Sequence, residues 1–208
     1  MFLETLVVGD LDTNCYVVAS EHAGEAIVID PAGNVGVILD TIAAKGLDVK
    51  YILLTHGHWD HFGVADILAK KTGAKIGIHK DDFEMIGNPM LSMGFMAGEG
   101  EDSMIKADFE LTDGQIIKVG DMDIKVIHTP GHTQGSVTIQ IGDLLFTGDL
   151  IFYRSVGRTD LAGSSFESLV ASIKDKIYKY PDQVKIYPGH GPSTTVGDEK
   201  RNNPYVAQ

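Results

Sequence analysis

The chain has 208 residues, 43% of them hydrophobic and 22% charged, which fits one ordinary globular domain and excludes a disordered one. Its formal net charge is -12, a field that repels phosphate backbones and anionic lipid, so nucleic acid and membrane surfaces are excluded as expected partners. The single cysteine, Cys15, excludes an internal disulfide and reads as a small buried residue in the apolar run Cys15-Tyr16-Val17-Val18-Ala19. No basic, then apolar, leader opens the chain and no apolar run has bilayer length, so a cytoplasmic location is expected.

The elements follow in chain order. Phe2 to Val8, Asn14 to Ala19 and Glu25 to Ile29 read as strands, separated by turn residues. Asp30-Pro31-Ala32-Gly33 breaks the pattern. Val35 to Lys45 places apolar residues at helical spacing and stops at Gly46. Val49 to Leu54 reads as a buried strand, Phe62 to Lys71 as a helix ending at Gly73, and Lys75 to His79 as a short strand. Gly87 to Met104 has no period and reads as a loop with room for a helical turn, either a lid or a surface crossing. Ile116 to Val119, Asp123 to Ile127, Ser136 to Ile141 and Asp143 to Thr147 read as strands. Ser165 to Lys179 is an amphipathic helix, and Val184 to Tyr187 a last strand. Two sheets face to face with helices outside satisfy this order, as one domain spanning 1–208.

The chemistry lies in turns after strands. Leu53-Leu54-Thr55 ends a buried strand, and His56-Gly57-His58-Trp59-Asp60-His61 follows at once. Four ligand-type side chains in six residues far exceed what eight histidines scattered over 208 residues would give. Imidazole and carboxylate suit zinc, iron or manganese. In an extended segment alternate side chains point the same way, so His56 and His58 can share one ion. Asp60 and His61 fall where the chain turns into a helix and can address a second. Thr129-Pro130-Gly131-His132-Thr133, Thr147-Gly148-Asp149 and Pro188-Gly189-His190-Gly191 each add one ligand-type residue in a glycine turn behind a strand. Among the other histidines, His22 reads as exposed, His79 has no role, and His128 is either structural or a support for the metal loop.

In its His-x-His-x-Asp-His run, its Pro-Gly-His-Thr, its Gly-Asp and its Pro-Gly-His-Gly, taken in that order, the sequence resembles the metallo-β-lactamase superfamily. The resemblance implies an α+β fold, a four-layer αββα sandwich. It implies two divalent ions, zinc first, with iron or manganese as alternatives. His56, His58 and His132 would hold one ion, Asp60, His61 and His190 the other, and Asp149 would bridge them. Asp60 or Asp149 would orient the nucleophile.

Within the superfamily the chain is similar to the short glyoxalase II-like hydrolases. Asn14-Cys15-Tyr16, Gly148-Asp149-Leu150-Ile151-Phe152, Gly157-Arg158-Thr159-Asp160-Leu161 and Glu199 to Tyr205 carry that likeness. An Asp at the bridging position is usually lacking in true β-lactamases of this fold. The implied reaction is hydrolysis of an S-2-hydroxyacylglutathione or related thioester, with a metal-bridging hydroxide as nucleophile and two ions about 3.5–4 Å apart. A full-length glyoxalase II holds glutathione with a C-terminal helical domain that has no counterpart after His190, which leaves the thiol portion open. Gln134 replaces a proline of many relatives. Arg154, Arg158 and Arg201 are candidate contacts to an acidic substrate, with an Arg158–Asp160 ion pair and a solvated Arg201 as competing readings.

Two alternatives on the same fold stay open. One is a mono-iron persulfide dioxygenase using His56, His132 and Asp149, and the other is a lactonase or other small-ester hydrolase. A non-catalytic metal module would call for a closed site with cysteine. The expected partner is a small-molecule thioester, and the expected state a monomer or homodimer.

Overall fold

In the computed structural model, which describes residues 1–100 and 103–207, the alternation of side chains along each strand decides the layering. The first sheet runs β1 (Phe2–Val8), β2 (Thr13–Ala19), β3 (Glu25–Ile29), β4 (Asp48–Leu53), β5 (Lys75–Ile78), β6 (Phe109–Glu110) in that spatial order. β1 to β3 pair antiparallel and β3 to β6 parallel. The second sheet begins with the antiparallel strands β7 (Ile116–Val119), β8 (Met122–His128), β9 (Val137–Ile141) and β10 (Leu144–Gly148). A separate hairpin, β11 (Ile151–Phe152) and β12 (Ser155–Val156), follows. The sheet is completed by β13 (Lys185–Pro188), parallel to β10, and by β14 (Thr194–Thr195) at its edge.

β2 is buried along its whole length, because both its faces are covered. Its odd positions Cys15, Val17 and Ala19 face the outer helices, and Tyr16 and Val18 face the second sheet. β3 repeats the division, with Ala26 and Val28 outward and Ile27 and Ile29 inward. On the first sheet the outer layer is α1 (Val35–Lys45), α2 (Trp59–Phe62) and α3 (Ala65–Thr72), seated through Ile38, Ile42, Phe62 and Leu68. A short α4 (Phe83–Ile86) adds Ile86 to the same cluster. On the second sheet the outer layer is α5 (Phe166–Ser172), with Leu169 against Ile127, Leu145 and Ile186. α6 (Val196–Asn202) closes that layer through Val196. This is the expected αββα sandwich. Among the described residues no helix is long and apolar enough to cross a membrane.

Three element readings change. The helix expected over Phe62 to Lys71 is two helices, α2 and α3, and the first begins earlier, at Trp59. The break falls at Gly63 and Val64, where the chain passes so close to Pro31 and Ala32 that a Cβ on Gly63 would collide with the Ala32 carbonyl. The helix expected over Ser165 to Lys179 is α-helical only to Ser172 and continues as a π-turn over Ile173–Ile177. The short elements α4, α6, β6, β11, β12 and β14 had no sequence period long enough to announce them. The described part of Gly87 to Met104 includes a 3-10 turn, Gly94–Ala97. That loop docks on the first ligand segment, since Ser92 O accepts from the N–H of Trp59 at 2.9 Å.

Candidate metal centre

The sandwich brings the strand-end turns together at one edge. His56 and His58 follow β4, His132 follows β8, Asp149 follows β10 and His190 follows β13. The His190 turn belongs to the second sheet but is tied to the first. Asn14 donates from its side chain to Pro188 O and Gly191 O, at 2.9 and 2.8 Å, and the Tyr16 hydroxyl donates to Pro188 O. The Asn14-Cys15-Tyr16 stretch is thus a clamp on the ligand turn, and Cys15 itself is buried away from it in the helix-facing cluster.

Four imidazoles are oriented by a hydrogen bond from Nδ1. His132 donates to Arg158 O at 2.8 Å, His190 to Leu11 O at 3.1 Å, His61 to Asp30 Oδ2 at 2.9 Å and His56 to Thr55 Oγ1 at 3.1 Å. Thr55 Oγ1 must accept there, because it donates its own proton to Asp30 Oδ2. These bonds keep a proton on Nδ1 and turn each Nε2 toward the centre. His58 differs, since its Nδ1 faces inward and lies 2.9 Å from His132 Nε2.

All seven expected residues meet. His56, His58 and His132 form one group of converging ligand atoms, and Asp60, His61 and His190 form another. Asp149 lies between them. Its Oδ2 is 3.6 Å from both His132 Nε2 and His190 Nε2, and its Oδ1 is 3.4 Å from His61 Nε2. Gly189 makes that position possible, because a Cβ there would run into the Asp149 carboxylate and stand 2.7 Å from His61 Cε1.

The donor set fits divalent metal ions. His56 Nε2, His61 Nε2 and Asp149 Oδ1 are buried with no hydrogen-bond partner, which is costly unless a cation satisfies them. The two converging imidazole nitrogens of His58 and His132 also want a shared electrophile. Electrostatics divides the cluster. Burial, reinforced by neighbouring imidazoles, pushes His56 far down, and burial with His132 pushes His58 down to about 3. For His61 and His190 burial opposes the charge, but Asp149, Asp60 and Asp30 around the first, and Asp60 and Asp149 beside the second, outweigh it and raise both. Asp149 is likewise opposed by burial, yet His61, His132 and His190 hold it well below the usual carboxylate range.

Two supporting carboxylates carry no mark in the sequence. Asp30, read only as a break, accepts from Thr55 N–H, Thr55 Oγ1 and His61 Nδ1. Asp82, in the charge run Lys80-Asp81-Asp82, is fully buried. Its Oδ2 accepts from Gly57 N–H at 2.9 Å and Thr133 Oγ1 at 2.7 Å, and its Oδ1 from Gly135 N–H at 2.8 Å. It joins the His58 segment to the His132 segment. Neither role leaves a local signal.

The three arginines offered for substrate are engaged elsewhere. Arg158 makes a bidentate pair with Asp160, and what reaches the centre is its backbone carbonyl, on His132. Arg201 pairs with Asp182 at 2.9 Å. Arg154 lies 3.6 Å from Asp198 and stacks over Tyr153. The tail around Arg201 is structural, since buried Glu199 accepts from Arg154 N–H, Thr194 Oγ1 and Asn203 Nδ2. His22 is exposed, as expected. His128 touches no residue of the centre: it bonds Gln134 O and stacks on His79.

The fold and the centre define a metal-dependent hydrolase, and the chain belongs to the metallo-beta-lactamase superfamily, whose family model matches residues 8–190. It is similar to the hydroxyacylglutathione hydrolase GloC of Haemophilus influenzae, at 33% identity over 99% of this chain and 98% of that one. Among solved structures it resembles the BLEG-1 B3 metallo-beta-lactamase, with TM-score 0.93, 32% identity and all of both chains covered. It also resembles TTHA1623 in a di-iron-bound form, with TM-score 0.83, 32% identity, and 99% and 100% of the two chains covered.

Proposed function

We propose that this protein hydrolyses small thioesters of the 2-hydroxyacylglutathione type at a pair of divalent metal ions. The position of Asp149 between two three-residue ligand groups carries the reading, because it would let one carboxylate serve two ions. His56, His58 and His132 would hold one ion, Asp60, His61 and His190 the other, with Asp149 shared. Bound there, the ions would activate a water near neutral pH and polarise the thioester carbonyl, and a thiolate needs little acid help to leave.

The side chains are prepared for that task. His56 and His58 are unprotonated at neutral pH and present free lone pairs. Asp60 and Asp149 stay ionised. Burial works against Asp60, but His61 and the hydrogen bond from His190 lower it. The likeness to GloC supports the hydroxyacylglutathione class. A small-molecule substrate, a monomer or homodimer and a cytoplasmic setting complete the proposal, with zinc as first metal and iron second, the latter supported by the di-iron relative. A second reading, β-lactam hydrolysis, is favoured by the likeness to BLEG-1.

One panel tests these together: S-lactoylglutathione, a non-glutathione thioester, an acyl-homoserine lactone, a chromogenic cephalosporin, and oxygen uptake with glutathione persulfide. S-lactoylglutathione is expected to lead by at least about a hundredfold in kcat/KM, roughly 2.7 kcal/mol of discrimination. Preference for the cephalosporin or the persulfide would reject the thioesterase reading. His58→Ala is expected to lose both metal and hydrolysis, and a fully active, metal-free His58→Ala protein would reject the metal mechanism.

Metal loading should depend on pH unevenly. Protons and metal compete for His61 and His190, whose pKa values are raised, so affinity on that side falls as pH drops, by up to about tenfold per pH unit for each proton displaced. His58, pushed down to about 3, holds no proton over that range, and burial pushes His56 in the same direction. Dialysis from about pH 8 to about pH 5 should therefore remove one ion well before the other, read by elemental analysis. Parallel loss of both ions would contradict the assignment.

A further inference from the structure

A second cluster of ligand-type side chains lies outside the seven-residue centre, and the proposed hydrolysis does not use it. His79 follows β5 and is buried, and it stacks face to face on His128 at the end of β8, with centroids 4.1 Å apart and planes 7° from parallel. The exposed Asp81 carboxylate is 3.6 Å from His79 Nδ1. One ligand atom from each of the three lies within 4.8 Å of the other two.

We propose that His79, Asp81 and His128 form a third metal site, separate from the hydrolytic centre, which takes a divalent transition ion with affinity for imidazole, such as Zn²⁺, Ni²⁺ or Cu²⁺. The tautomer of His128 supports it. Its Nε2 donates to Gln134 O at 2.8 Å, so its Nδ1 carries a free lone pair, the arrangement that a backbone carbonyl imposes on metal-binding imidazoles. Carboxylates stand around the pair: against burial and the stacked His128, Asp81, Asp82 and Glu110 draw positive charge toward His79, and Asp113 accepts from the backbone N–H of His128. Lys176 is the one cation with a direct contact among the described residues, and it is held on His128 O, 3.7 Å from Asp113.

The geometry requires a small closure. Ligand atoms around a tetrahedral ion at about 2.1 Å stand about 3.4 Å apart. The cluster therefore contracts by at most about 1.4 Å, the difference between that spacing and 4.8 Å. Asp81 is exposed and free to rotate inward, and His128 must turn out of the parallel stack so that both lone pairs meet one point. The contact given up is weak: the Asp81 N–H reaches His79 Nδ1 at 3.3 Å. Imidazole nitrogen with a single carboxylate favours the ions named over Mg²⁺ or Ca²⁺, which need more oxygen ligands.

The test adds excess Zn²⁺ to the metal-loaded protein, desalts it and counts bound zinc by elemental analysis. Wild type should hold about one ion per chain more than His128→Ala, and about one more than Asp81→Asn, whose exposed position leaves folding intact. Both variants should keep the ions of the hydrolytic centre and the wild-type hydrolysis rate. With Cu²⁺, wild type should show a type-2 electron paramagnetic resonance signal with nitrogen coupling that both variants lack. Equal zinc counts in wild type and both variants, or a copper signal unchanged by them, would overturn the site.

Discussion

Asp149→Ala is expected to lower hydrolytic kcat/KM by at least about a thousandfold, some 4 kcal/mol of transition-state stabilisation, and to release one of the two ions. Among the described residues this is the only carboxylate within 3.6 Å of ring nitrogens from both ligand groups, His132 on one side and His61 and His190 on the other. Its removal takes away a charge that both ions would share. It also takes away the first of the acidic neighbours that hold His61 ready to exchange a proton for a metal. Asp149→Asn separates charge from shape. It keeps the volume and one acceptor oxygen, so it should retain more metal than the alanine variant while losing most of the activity. Steady-state kinetics beside elemental analysis reads both. An Asp149→Ala protein with two ions and near-wild-type kcat/KM would show that the residue does not belong to the centre.

The second large effect is structural. Asp82→Ala is expected to cost about 3 kcal/mol of stability, a fall of about 6–12 °C in Tm, and to weaken metal retention with it. The substitution leaves three buried donors, Gly57 N–H, Gly135 N–H and Thr133 Oγ1, without an acceptor. Part of that cost is offset, because burial raises the Asp82 carboxyl and an ionised carboxylate there is itself penalised. Asp82→Asn does not rescue fully. Donors approach both terminal oxygens, and one of those atoms becomes an amide that cannot accept. The neighbouring Asp81→Ala is the control, since Asp81 is exposed and its loss from metal-free protein should change stability by less than about 0.5 kcal/mol. Urea unfolding of the three variants distinguishes them. Equal stability of Asp82→Ala and Asp81→Ala would mean that the three bonds contribute nothing.

These two residues mark how far the chain could be read in one dimension. Asp149 was legible because a carboxylate in a Gly-Asp turn directly after a strand is a local pattern, and because its partners are local patterns too. Asp82 was illegible. Lys80-Asp81-Asp82 looks like a solvated charge run, and what separates the two aspartates is that one faces Gly57 and Gly135, 25 and 53 residues away. Asp30 was missed for the same reason, since it sits at a chain break and its bonds run to Thr55 and His61, 25 and 31 residues on. The arginines show the other direction. A free guanidinium is a reasonable substrate contact, but Asp160, Asp182 and Asp198 stand beside these three, and only the packing of α6 and the β11–β12 hairpin places two of those carboxylates there.

Segment by segment, the chain announces most of its strands and helices, two facing sheets with helices outside, and the seven residues whose side chains converge. Hydrophobic alternation and ligand chemistry are properties of short segments and survive without knowledge of the fold. Which ring nitrogen each histidine turns inward, which carboxylates tie the metal loops together, and the meeting of His79 with His128 come from the packed fold. Those depend on hydrogen bonds and contacts between residues far apart in the chain, and nothing in a local stretch specifies its distant partner.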